Sequence, residues 1–154
     1  MPRSPDPAAL RAHTLSLRAG VVLRRYEPVA EKVKRLVLIA ATAERSLAFF
    51  INTRPSPFIR SNPELLRRQV LMAQSLHRFM QHDSHIACHD TVSIGTVSQL
   101  AAGLCDGSIM RLGAVHQTLF QLIGIAASGS KLIATRDHEL IERAFPFQRD
   151  VFKT

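Results

Sequence analysis

RLVLIAAT, residues 35–42, is a continuous apolar run entered through Arg35. It is too short for a helix and reads as a central strand. The polar AERS, 43–46, turns the chain, and SLAFFINT, 46–53, reads as the next strand. On the other side, GVVLRRYEPV, 20–29, opens a strand after Gly20 and ends at Pro28, and the charged EKVKR connects it to the central run. Three strands with short connections are therefore expected between residues 20 and 53.

Beyond Thr53 the pattern breaks. RPSPFIRSNP, 54–63, holds three prolines in ten residues, so no regular element is expected there. Asn62 and Pro63 form a helix start, with Glu64 in the first turn where it suits the helix dipole. QVLMAQ, 69–74, reads as a strand, and HDSHIACHD and TVSIGTVS as two further extended pieces. From 109 to 127, Ile109, Leu112, Val115, Leu119, Leu122, Ile123 and Ala126 recur at three and four, which predicts a helix burying one stripe. SerGlySer at 128–130 breaks it, and a last helix is expected over 132–144, with Leu140, Ile141 and Ala144 inward. The class is α+β. Residues 1–17 are expected as a flexible start, 18–145 as one domain and 146–154 as a tail.

The chain has 154 residues, 46% of them apolar, enough for one core. No run approaches 18 apolar residues, so no membrane span is expected, and the three prolines and Asp6 of the first residues speak against a secretory leader. Cys88 and Cys105 are the only cysteines, which points to a reducing, cytoplasmic setting. Net charge is +8, unevenly placed: residues 1–80 carry 14 Lys and Arg against 5 Asp and Glu, residues 81–154 carry 6 against 7. Sixteen of the 20 basic residues are Arg, whose planar fork suits phosphate. A one-sided positive field fits an RNA, DNA or acidic-protein partner.

GVVLRRYEPVAEKVKRLVLIAAT, FFINTRP and DSHIACHDTVSIGTVS together resemble the MazF/PemK toxin family. The resemblance implies a small curled antiparallel β-barrel of SH3-like form, a plan that the C-terminal helices fit and to which this chain adds a short inserted helix. It implies a homodimer that cuts single-stranded RNA without a metal or cofactor, and an antitoxin-like protein as partner. Arg35 would stabilise phosphate charge and Thr53 would orient the attacking 2′-hydroxyl. The chain departs from the family in having Leu36 after the arginine and Asn52-Thr53-Arg54-Pro55 where a Thr-Ser step is usual.

Read from the residues alone, strand-end and loop arginines suit charge stabilisation on a phosphorane. Arg24, Arg25, Arg54, Arg60, Arg67 and Arg68 are candidate nucleic-acid contacts, although Arg68 also stands i,i+4 to Glu64. Tyr26, beside Arg24 and Arg25, either stacks a base or packs in the core or at an interface. In QHDSHIACHD, 81–90, strand alternation puts Asp83 and His85 on one face as a candidate acid–base pair. His89 shares that face, but the spacing matches no usual zinc pattern. Two other classes stay open: a non-enzymatic binding module, and a metal-assisted hydrolase built on residues 82–90.

Overall fold

The computed structural model describes residues 4–28 and 30–148. The three expected strands are present as β1 (Val21–Glu27), β2 (Lys32–Ala41) and β3 (Ser46–Asn52), paired antiparallel in sequence order. β3 then splits along its free side. Its outer half pairs with β5 (Ser84–Ala87) through Ile51 and Asn52, and its inner half with β6 (Val92–Ser93) through Leu47 and Ala48. β4 (Gln69–Met72) adds to β5, and β7 (Ile109–Ala114) adds to β1. The path runs β4-β5-β3-β2-β1-β7.

This order corrects the expected SH3-like barrel and, with it, the MazF/PemK assignment. β4 ends the sheet on one side and β7 on the other, and no ladder joins them, so the sheet is open. The burial pattern gives the reason. Alternate residues of the central strands feed two separate cores. Val22, Val37, Ile39, Phe49 and Ile51 pack on one face with Ile123 and Ile141. Val21, Leu23, Leu36, Leu38 and Ala48 pack on the other with Leu100. A sheet dressed on both faces is a middle layer, whereas a small barrel fills a single interior.

The covering helices are α5 (Phe120–Ala127) and α6 (Thr135–Ala144) on the first face and α4 (Val97–Asp106) on the second. α1 (Pro7–Ser16), where a flexible start was expected, lies against α4. Residues 109–127 do not form one helix. Ile109–Ala114 pairs with β1 as β7, and only Phe120–Ala127 is helical. The missed helix is α4, which starts with a capping box: Gln99 N donates to Thr96 Oγ1 and Thr96 N to Gln99 Oε1. It ends at Gly107, whose φ of +84° reverses the chain into β7.

The proline-rich segment also holds more structure than expected. Ser56 accepts from Ile59 N and starts α2 (Pro57–Arg60), with proline at its first position. Asn62 accepts from Glu64 N and Leu65 N and starts α3 (Pro63–Leu66), as predicted. Among the described residues, no helix is long and apolar enough to cross a membrane.

Candidate nucleic-acid interface

β2 begins and β3 ends at the same end of the sheet, and their register places Arg35 opposite Ile51. One step outward, Lys34 Nζ donates to Asn52 Oδ1 at 2.6 Å and lies 5.2 Å from the centre of the Phe50 ring. β3 runs out at Asn52, so Thr53 and Arg54 leave the sheet at this rim. The result is a polar cavity of about 320 Å³ lined by Lys32, Lys34, Arg35, Asn52, Thr53 and Arg54. Three residues read from the sequence, Arg35, Thr53 and Arg54, are thus brought together. Asn52 joins them, with Lys32 and Lys34, which the sequence reading passed over. Their i,i+2 spacing on a strand was the available signal, because it puts both ammonium groups on one side.

The electrostatics favour an anion. Arg24 stands directly opposite Arg35 across the β1–β2 ladder. Like charges so placed repel. Among the described residues, no carboxylate forms an ion pair with Lys32, Lys34, Arg35 or Arg54. Arg35 Nε is shielded and has no hydrogen-bond partner there. Desolvation, and then the neighbouring Lys32 charge, hold the half-buried Lys34 below the usual lysine range. Alternation puts Arg35 on the opposite side of β2 from Lys32 and Lys34, so an anion seated at Arg35 relieves the Arg24–Arg35 repulsion directly and meets the lysines only as charge across the rim.

His85 is the partner of Asn52 in the next strand, and its Nδ1 lies 3.4 Å from the Thr53 carbonyl oxygen. A carbonyl only accepts, so Nδ1 is the donor of this contact. Asp83 does not join it. It lies before β5, and its Oδ1 accepts from Gln74 N at 2.8 Å, which fixes a 3-10 turn at Gln74–Leu76.

The remaining arginines divide by their partners. Arg24 is exposed, with Nη1 3.7 Å from Met110 Sδ. Arg25 donates Nε and Nη2 to the buried Glu27 and Nη1 to the Ile94 carbonyl. Arg60 is exposed on α2 and does not line the cavity, and Arg67 donates to Glu64. Arg68 is buried and holds Glu64 together with the end of α5.

The residues of 82–90 disperse. His82 stays local to Asp83 and Ser84, His89 Nδ1 accepts from Gln69 Nε2, and Cys88 is buried, its thiol pushed up by desolvation. Among the described residues, no three His, Cys, Asp or Glu side chains converge as a metal site. A larger cavity of about 480 Å³ lies between the edge strand β4 and α5. Its walls are mainly Leu71, Leu76, Leu119, Leu122 and Ile125, with Arg67 and Gln69 as its polar members. No family model matches the chain, and no curated protein matches it significantly.

His89 gives a prediction. Desolvation, the largest influence on it, and the Arg68 charge hold its imidazole below the ordinary 6.5, and Asp90 opposes them. A lowered folded value means that the unfolded chain binds the proton more readily. The stabilising contribution is present above pH 6.5 and is lost as pH falls through the folded value. The urea midpoint is expected to drop on acidification through this window, and by less in His89→Gln. Equal drops in both proteins would remove His89 from the account.

Proposed function

We propose that the rim cavity binds the phosphate backbone of single-stranded RNA. The observation that carries this reading is the convergence of Lys32, Lys34, Arg35 and Arg54 on one cavity without a carboxylate counter-charge in its lining. Arg35 grips a phosphate, Arg54 flanks it, Lys32 and Lys34 add positive charge across the rim from the other side of β2, and Thr53 supplies a neutral hydroxyl at the level of a 2′-hydroxyl.

Cleavage is a second reading, favoured by Thr53 in the cavity and His85 beside it. In that reading, Thr53 orients the 2′-hydroxyl, His85 Nε2 accepts its proton and Arg35 stabilises charge on the phosphorane. Attack of the 2′-oxygen on phosphorus breaks the P–O5′ bond; the 5′-oxygen takes a proton from water and leaves as a hydroxyl, and a 2′,3′-cyclic phosphate remains. No metal is needed for these steps.

Binding is measured by anisotropy against salt with labelled single-stranded RNA. A slope of log K on log salt of roughly −2 to −3 is expected if three or four phosphates are neutralised. Arg35→Ala is expected to weaken binding about tenfold and to flatten the slope by roughly 0.7. A salt-independent affinity, or an Arg35→Ala protein indistinguishable from wild type, would sink the binding reading. The same samples incubated with EDTA test cleavage. Turnover that falls about 100-fold in Arg35→Ala and in Thr53→Ala supports it. RNA recovered intact from wild type rejects cleavage and leaves binding standing.

A further inference from the structure

We propose that Tyr26 is a stacking platform for an unpaired base whose phosphate sits on the Arg24–Arg35 rung. The inference rests on the phosphate reading of the rim and adds what the ligand must offer beside a phosphate: an exposed base face.

Three rungs of the β1–β2 ladder carry the argument. Val22 pairs with Val37, Arg24 with Arg35, and Tyr26 with Val33. Strand alternation puts all six side chains on one face of the sheet. The innermost rung is buried in the core shared with Phe49 and Ile123. The middle rung is the opposed arginine pair. The outermost rung is open: Tyr26 is 57% exposed and Val33 49%. The neighbouring strand does not cover it, because the β1–β7 ladder ends at Arg25 and Ile109. Nor does Tyr26 stack on another ring among the described residues. The sequence left open whether this tyrosine packs in the core, packs at an interface or stacks a base, and the register puts it outside the core.

Spacing completes the case. Two residues of strand separate the rungs by about 7 Å. That is roughly the span from a backbone phosphate to its own base, so one nucleotide can meet both rungs. An aromatic ring offers a sequence-tolerant stack, and the arginines offer the charge. A duplex keeps its bases stacked on one another and presents no such face, so the site selects single strands.

The chain contains one tyrosine and no tryptophan, so tyrosine emission reports Tyr26 alone. The full chain is titrated with a single-stranded RNA oligomer, an abasic oligomer of equal length, and the RNA duplex. Quenching is expected with the single strand and not with the abasic strand, although both bind. Tyr26→Ala is expected to weaken single-strand binding about tenfold and to leave abasic binding unchanged, while Tyr26→Phe retains the wild-type affinity. If the single strand binds without quenching and Tyr26→Ala binds it equally well, the stacking role is overturned and the phosphate reading survives. If neither oligomer binds, both fall together. Unchanged circular dichroism of Tyr26→Ala shows that the exposed substitution leaves the fold intact.

Discussion

Arg68→Ala is expected to destabilise the fold by about 3 kcal/mol. The side chain is 4% exposed and uses its whole fork. Nε and Nη2 donate to Glu64 Oε1 at 3.0 and 2.6 Å. Nη1 donates to the carbonyls of Ala126 and Ser128 at 2.9 and 2.6 Å. Those carbonyls lie at the C-terminal end of α5, where helical partners run out. Removing Arg68 leaves them without their donor and opens a void between α3 and α5. Glu64 is half-exposed and regains water, which is why the effect stays at the lower end for a broken buried pair. Its carboxyl, now held below the usual range by hydrogen bonds from Arg68 and then Arg67, should titrate nearer its ordinary value. For a domain of this size the melting temperature should fall by roughly 10 °C. Arg68→Lys recovers little, since one ammonium cannot span three acceptors in two directions. The outcome also separates two roles. An arginine reserved for RNA would leave the melting temperature unchanged and weaken RNA binding when replaced. That pattern, seen in Arg68→Ala, would overturn the structural assignment.

Arg68 shows where sequence reading stops. Its pairing with Glu64 was legible from the i,i+4 spacing, but its partners on α5 lie 58 and 60 residues away. Nothing local announces them. The central hairpin, by contrast, was legible because apolar runs, a polar turn and charged ends coincide with elements that pair locally. Its consequence was misjudged. Residues 36–39 are apolar without alternation, and all four are buried. That pattern belongs to a strand covered on both faces. Taken at its word, it predicts helices on each side of an open sheet and disfavours a barrel. The 109–127 window failed differently: Ile109 and Leu112 fit a helical stripe, yet pairing with β1 at the sheet edge overrode the periodicity. Of the rim, Arg35, Thr53 and Arg54 were legible as basic and hydroxyl groups at strand ends. Lys32 and Lys34 were masked by their place in a charged connection that proved to be the start of β2.

Phe145→Ala is expected to cost about 3–5 kcal/mol. Phe145 is fully buried just beyond α6. Its ring meets Phe120 edge-on, with centroids 5.1 Å apart, and Phe49 tilted at 6.5 Å. Its backbone closes against α5 so tightly that a Cβ on Gly124 would overlap the Phe145 carbonyl oxygen, so the neighbouring helix cannot move in to fill a void. The cavity left by the ring therefore stays open, which places the cost at the high end for a core truncation. Phe49 lies in β3, three residues before Asn52, so the same ring braces the strand that delivers Asn52 and Thr53 to the cavity. A cycle of Phe49→Ala, Phe145→Ala and the double variant should show a coupling of about 1 kcal/mol, because each single change already removes the shared contact. Below its lowered melting temperature, Phe145→Ala should still bind RNA with near wild-type affinity, since Phe145 and the two rings it packs against do not line the cavity. Equilibrium denaturation within about 1 kcal/mol of wild type would contradict the cavity argument. Lost affinity in a still-folded variant would instead mean that the hub sets the geometry of the rim as well as the stability of the strand beneath it.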